Sequence, residues 1–532
     1  MKIKKTFAAA LLAGTAMTAV PAMAADATAD LARQIQMLQD QLRSVQQQLE
    51  ALKAAGSAQK DDLAKETAAR EASEKAARDA ALAAGGTLIF TDGKAQVVPP
   101  ANPKVVESAA HVLTLSSADN AWTIQPTGRI HFDMGAYLAQ KPDGTTGPLT
   151  ATAGNGKLTS GINVRRARFG VTGKANDVFT YSLIFDLGGS PDSTTPLINT
   201  ASIGYTGIAN TILEAGYFAH FFTLEESISS NNVLFIERST PATITSSVNS
   251  GDPRSGVGFR TWDTNWWFGA YLTGSAPGDA HALNKRRLGA YQRLTYNPIQ
   301  DAAALQSLHF GIGAAQLFDV PDTGELTAAT ITLSDRPELR IDTTNSWLNT
   351  GALGTVANPV TSVQVYSAET AAAFGSFFYM GEYFKAVVNR RGKTAATFDG
   401  AYIAASYTIG GRRTYTANCG CYGGVTPATS FNPLKGGEGA FEFAARISYQ
   451  DLVDNYTSSL TAASQPNLVN GGRQTNLTFG VNWYWTPNIM WKLNYIHSHF
   501  DKAGPIPTAT SRVRAPLGLE IDALAARFQV TF

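Results

Sequence analysis

The chain has 532 residues, of which 44% are hydrophobic, 10% aromatic and only 16% charged, with 48 glycines and a formal net charge of +1. So few charges, against the usual quarter, argue against an assembly of ordinary soluble domains, and near-neutrality gives nucleic-acid binding no support. Membrane helices need apolar runs of roughly 18 residues or more, and none occurs beyond the first stretch of the chain.

Residues 1–24 read as a signal peptide: Lys2, Lys4 and Lys5, an apolar core from Phe7 to Val20, then Ala22-Met23-Ala24 as a cleavage signal. Residues 25–84 read as a periplasmic helical segment. Leu31, Ile35, Leu38, Leu42, Val45, Leu49 and Leu52 alternate spacings of four and three, a heptad seam suited to pairing helices, and a threefold pore would align three of them. Packing of the helix on its own barrel is the alternative. Ala54-Ala55-Gly56-Ser57 is expected to interrupt the helix, with a second, Ala-rich helix from Asp61 to Ala84. Residues 85–121 form a joint, with a possible hairpin from Thr87 to Val98 around Asp92-Gly93, followed by Pro99, Pro100 and Pro103.

From Trp122 to Phe532 the chain turns to strands of about nine to thirteen residues between Gly, Pro, Asn and Asp clusters. In Arg129–Leu138, Ile130, Phe132, Met134, Ala136 and Leu138 suit lipid, while Arg129, His131, Asp133 and Tyr137 face inward. Later strands are expected to begin near Asn199, Thr211, Gly256, Trp266, Arg287, Leu308, Glu338, Val363, Phe377, Phe398, Gly439, Gln474 and Ile489. Trp266, Trp267, Trp483, Trp485 and Trp491 suit the headgroup layer. The last strand alternates Leu524, Ala526, Phe528, Val530 and Phe532 with Ala525, Arg527, Gln529 and Thr531. It ends the chain on an aromatic residue, as barrels do when their final strand closes against an early one. That strand is also the expected signal to the barrel-assembly machinery. The fold class is an all-β, sixteen-stranded antiparallel transmembrane β-barrel with an N-terminal coiled-coil segment, in the outer membrane.

Several segments together resemble the phosphate-selective porin O and P family. They are Arg165-Arg166-Ala167-Arg168-Phe169-Gly170-Val171-Thr172-Gly173-Lys174; Ser229-Ser230-Asn231-Asn232 with Phe235-Ile236-Glu237-Arg238; Phe441 to Tyr449; and Asn476 to Tyr484. The resemblance implies a trimeric porin whose third long loop folds inward and whose basic residues bind anions, with the family's arginine cluster falling on Arg165, Arg166 and Arg168.

Alternation gives part of this independently. With Phe169 and Val171 facing lipid, Arg166, Arg168, Thr172 and Lys174 face the lumen, and Arg165 stands at the strand's entrance. A guanidinium stays charged and offers paired donors to an oxyanion. Arg129, Arg446 and Arg527, with Arg260, Arg287, Arg293 and Lys492, are candidates for a ladder of bases along the pore; the alternative is that these groups pair with carboxylates and stiffen the wall. The stretch from His220 to Ser255 is the expected constriction loop, carrying Glu225, Glu226, Glu237, Arg238, Asp252 and Arg254. It departs from the phosphate-selective pattern, because no lysine occurs between Lys174 and Lys285.

Catalytic and metal readings find little to rest on. His497 and His499 share a strand face without an evident third ligand, and Cys419 and Cys421 are too few for zinc. The cysteines are expected to be a loop feature, bonded or free. The expectation is passive diffusion of small hydrophilic solutes with moderate anion preference, needing no cofactor. The alternatives are a weakly selective pore for sugars and other polar solutes, and a tether from outer membrane to cell wall.

Overall fold

The computed structural model describes residues 27–83, 87–91, 94–98, 104–107, 113–142, 158–188, 197–249, 253–274, 288–301, 306–320, 329–342, 346–455, 467–503 and 516–532. The expected signal peptide and Arg287 lie outside them. The chain divides into two compact units, up to Ala101 and from Asn102 onward.

In the first unit, helix α1 spans Ala27–Ala83 without a break. The expected interruption at residues 54–57 does not occur. A glycine inside a helix costs only about 1 kcal/mol relative to alanine, which the Ala-rich flanks absorb, and Ser57 Oγ donates back to the carbonyl of Ala54 at 2.9 Å. Seam residues Leu38, Leu42, Val45, Leu49 and Leu52 are exposed by 52–71%. Beyond the helix, Thr87–Thr91 pairs with Lys94–Val98 in the register of a two-residue hairpin, Thr91 opposite Lys94.

The second unit is a closed barrel of sixteen antiparallel strands. They are β1 (Thr123–Pro142), β2 (Gly161–Ala175), β3 (Phe179–Asp186), β4 (Leu197–Ile208), β5 (Thr211–Phe218), β6 (Arg254–Trp262), β7 (Trp266–Thr273) and β8 (Leu288–Asp301). The second half comprises β9 (Gln306–Asp319), β10 (Val360–Phe374), β11 (Phe377–Arg390), β12 (Ala396–Ile409), β13 (Ala440–Asp454), β14 (Val469–Tyr484), β15 (Ile489–Ala503) and β16 (Pro516–Thr531). A short pair, Lys104–Glu107 and Leu113–Ser116, joins the start of β1.

Outward positions are large and apolar: Ile130, Phe169, Leu183, Phe310, Ile403, Phe443 and Phe479 are all exposed, as a lipid-facing wall requires. Turns at one end are short, with Asn176, Asp177 and Asn210 in the left-handed region that Asn and Asp tolerate. At that end Phe431, Phe441, Trp483, Trp485, Trp491 and Phe528 form a chain of ring contacts, an interfacial girdle. Trp267 does not belong to it. Next to outward Trp266 it must point inward, and there it is fully buried.

Long connections fill much of the interior. The one from β5 to β6 carries α2 (Leu224–Ser227) and α3 (Thr240–Asn249) and is buried along most of its length. A second runs from β9 to β10. The strand expected near Glu338 is no part of the wall; this segment lies inside it, with Leu333, Leu339 and Leu348 buried. Its polar-apolar texture is that of a chain packed on two surroundings, which mimics strand alternation. A third connection, from β12 to β13, arises at the short-turn end, yet its hairpin Gly411–Thr416 and Cys421–Pro427 also turns inward, with Arg413, Cys421, Tyr422 and Val425 buried.

These insertions meet an apolar inner wall. Val363 and Val365 of β10, Phe378, Met380, Phe384 and Val388 of β11 and Phe398 and Ala404 of β12 face inward and are buried. The interior is therefore not uniformly wet, as simple alternation implies. Strands apolar on both faces lose the period-two signal.

The seam of the cylinder joins β16 to β1, with Phe528 opposite Phe132. The terminal Phe532 exchanges backbone hydrogen bonds with Gly128 at 2.8 and 3.1 Å. A Cβ on Gly128 would lie 2.3 Å from the Phe532 ring and 2.9 Å from the Arg168 carbonyl oxygen. Gly128→Leu is accordingly expected to weaken closure: the folded barrel should lose its compact mobility in SDS gels at a lower temperature than the native one. Equal thermal resistance would show that closure tolerates a side chain there.

Candidate translocation pathway

Register sets a patch of bases on the inner face of β1 and β2. Arg129 stands opposite Arg168, which stands opposite Asp186 of β3. One row along, Gln529, His131 and Arg166 are aligned; on the next, Lys492, Arg527 and Asp133. Like charges directly opposite each other destabilise a sheet, so Arg129 beside Arg168 is held against a cost.

Arg165 is not at a strand entrance. A β-bulge, where His131 pairs with Arg166 and Phe132 with Val164, leaves Arg165 as the extra residue. Both neighbouring arginines consequently lie buried inside the wall.

Arg446 and Arg527 of the expected ladder, and Arg165 of the expected arginine cluster, are engaged in ion pairs with the inserted segments. Arg165 donates to both carboxylate oxygens of Glu237 at 2.9 and 3.3 Å. Arg527 grips Asp133 at 2.6 and 2.7 Å and reaches Glu237 at 3.1 Å. Burial alone would push the Glu237 carboxyl up, but Arg165, Arg166 and Arg527 around it hold it well below the usual carboxylate range. Arg446 pairs with Glu225 at 3.2 Å and with Glu338 at 2.5 Å. Glu338 also accepts from Thr240 N at 3.0 Å and Ser448 Oγ at 2.6 Å, joining two inserted segments to β13. Arg446 and Arg527 thus hold these segments and are 2% and 0% exposed, so neither lies along an open path.

Backbone groups are met in the same way. Glu382 of β11 accepts from the amides of Leu224 and Glu225 at 2.7 and 2.9 Å, at the start of α2. The carbonyls of Val233 and Leu234 accept from Lys492 and Asn482. Sequence alone does not mark Glu338, Glu382 or Arg413, which donates to the Asn232 carbonyl, as contacts of the constriction loop, because their partners Thr240, Leu224 and Asn232 lie 98, 158 and 181 residues away.

The remaining bases lie differently. Arg129, half-buried, donates to Ser230 Oγ at 2.9 Å and Ser229 Oγ at 3.4 Å. Arg166 has His131 Nδ1 at 3.5 Å, and Arg238 donates to the carbonyls of Glu225, Glu226 and Ile228. Among the described residues none of these three has a carboxylate within ion-pair distance. Arg168, partly exposed, pairs with Asp186 at 2.8 Å. Lys174 is exposed near the short-turn end of β2, and Glu226 is half-buried beside Arg238. Arg254 is the first residue of β6, opposite Phe218, and not part of the loop body.

A closed membrane cylinder with a loop folded into it and bases along one inner flank defines a porin of the outer membrane. Its family is shown directly: the family model for phosphate-selective porin O and P matches residues 142–532, and the chain belongs to that family. No curated protein matches it in sequence. Similar solved structures include the trimer form of OmpT from Vibrio cholerae (11% identity, 77% of this chain and 100% of that one, TM-score 0.43). The anion-selective porin from Comamonas acidovorans is also similar (10% identity, 77% and 100%, TM-score 0.42). So is Salmonella typhi OmpF in complex with daunomycin (10% identity, 78% and 99%, TM-score 0.39).

Glu237 is the loop's contact to two strands at once. Breaking a buried pair from one side typically costs about 3–5 kcal/mol, because the other charge stays buried. Glu237→Ala should therefore loosen the loop and add fluctuations between current levels in single-channel records. A record as quiet as the native one would show that the remaining contacts suffice.

Proposed function

We propose that this porin passes small hydrophilic solutes by passive diffusion, with a moderate preference for anions such as phosphate and other oxyanions. The observation that carries the reading is that half-buried Arg129 and Arg238, with buried Arg166 against His131, have no carboxylate partner among the described residues and lie beside the partly exposed Arg168. Guanidinium groups replace part of an anion's lost hydration. The sites remain shallow because Asp186 and Glu237 lie close by, so a bound anion can leave.

Selectivity reads out directly in a planar bilayer under a salt gradient. The zero-current potential should carry the sign of anion permeation, and Arg129→Ala with Arg166→Ala should move it toward zero. A native potential already at zero would favour the general pore for sugars and other polar solutes; no conductance at all would favour the tether.

The same reading has three copies assembling in the outer membrane, inserted through the barrel-assembly machinery, with α1 on the periplasmic side and its exposed seam packing against the other two. Deleting residues 31–52 is expected to weaken the trimer and leave single-channel conductance intact. Trimers of undiminished stability would remove the seam from the assembly.

A further inference from the structure

The connection from β12 to β13 is the one at the short-turn end that runs to about thirty residues among the described ones, and its tip carries the only two cysteines of the chain. Cys419 and Cys421 are bonded to each other, and they are buried inside the barrel, not displayed on an exposed loop. We infer that this bond sets the width of the channel on the short-turn side, by giving the hairpin tip the shape through which Arg293 clasps it.

The disulfide closes a ring of three residues. So small a ring removes about half the unfolded-chain entropy that a 15-residue loop would, which is little for a barrel of this size. Its effect is local. Within the ring, Gly420 adopts φ +54°, and a Cβ there would press on the Trp267 ring at 3.1 Å. Three successive carbonyls of the tip then turn to donors in the wall. Asn418 accepts from Trp267 Nε1 at 3.1 Å, Cys419 from Arg293 Nη1 at 3.0 Å and Gly420 from Arg293 Nη2 at 2.6 Å.

Arg293 links this tip to everything around it. Glu369 of β10 holds the guanidinium at 2.7 Å and is itself fixed by His309 of β9 at 2.8 Å. The same guanidinium donates to Ser227 Oγ of α2 at 3.2 Å, while Cys421 Sγ lies 3.3 Å from the Ser227 carbonyl oxygen. Further along the hairpin, Arg413 is paired with Glu442 at 2.6 Å and donates to the Asn232 carbonyl at 2.7 Å. The hairpin and the constriction loop therefore meet inside the barrel, entering from opposite ends, with the disulfide at their contact. A chain of the same sequence with free thiols can relax the ring and turn those carbonyls away, leaving Trp267 Nε1 and one N–H on each terminal nitrogen of Arg293 without an acceptor. Unpaired donors in a buried site are costly, so the hairpin would lose its seat and vacate lumen.

The test uses the full-length protein in planar bilayers. Native channels are recorded before and after tris(2-carboxyethyl)phosphine, which takes oxygen from water to become the phosphine oxide as the S–S bond opens to two thiols. Maleimide mass shifts count the thiols in the same sample. The variant Cys419→Ser with Cys421→Ser is recorded in parallel, with heat-modifiable gel mobility reporting that its barrel is folded. Larger conductance with added step fluctuations, in the reduced protein or in the folded variant, is the expected result. Native conductance in the folded variant, or in protein carrying two titrated thiols, overturns the inference. If the phosphine does not reach the bond, the variant alone decides.

Discussion

Hydrocarbon offers no hydrogen bonds, and that single fact dictates that the strand beginning at Thr123 and the one ending at Thr531 must find each other. Everything else inherits the cylinder this makes. Phe532 completes the seam through its backbone, and its ring covers the space that Gly128 leaves open, so the last residue of the chain and one near the start of the wall are fitted together. Once closed, the wall has two unequal faces. The outside has to be apolar over the hydrocarbon; the inside is free to be whatever the inserted segments require.

What they require here is charge balance. A loop brought inside a barrel carries backbone amides, carbonyls and carboxylates into a space with little water, and each needs a partner. The wall supplies them: Glu382 for two amides, Lys492 and Asn482 for two carbonyls, Arg165 and Arg527 for Glu237, Arg446 for Glu225 and Glu338. Inward bases on β13 and β16 are consequently committed to structure. The same charge that would draw an anion is spent holding a loop. Among the described residues, Arg129, Arg166 and Arg238 are bases that wall and loop leave without an acid at ion-pair distance.

The outward half of this arrangement was legible in the sequence, because lipid imposes one rule on every second residue. Ile130, Phe169, Phe479 and Phe528 follow it, and so does the choice of Arg527 for the inside. The inward half obeyed no single rule. Phe378, Met380 and Phe384 face in because a loop packs on them, and nothing in their own strand announces that loop. Glu338 sits in a segment that alternates like a strand while lying inside the barrel, and Gly56 sits in a helix that its neighbours carry through. Arg165 escapes the alternation for a smaller reason: a bulge changes the parity of a strand by one, and only pairing with β1 reveals it. Partners over a hundred residues apart, such as Arg446 and Glu338, are set by topology.

Strand length adds a last constraint on the shape of the wall. Strands β3, β5, β6 and β7 have eight or nine residues, close to the least that tilted strands need to cross, whereas β13 to β16 have fifteen or sixteen. The long strands carry an outward row of charge on their upper part, Asp451 opposite Arg473 and Arg473 opposite Asp501, above the apolar positions of the same strands. A row like that belongs in the headgroup layer, so this side of the wall stands taller. It is also the side toward which α3 and the β9–β10 segment pack, through Val248, Leu348, Leu452, Val469 and Phe500. The same cluster takes in Phe218 of β5 and Tyr271 of β7, so the filling reaches from the tall wall to the low one, while Arg129 and Arg166 stand on strands of 20 and 15 residues.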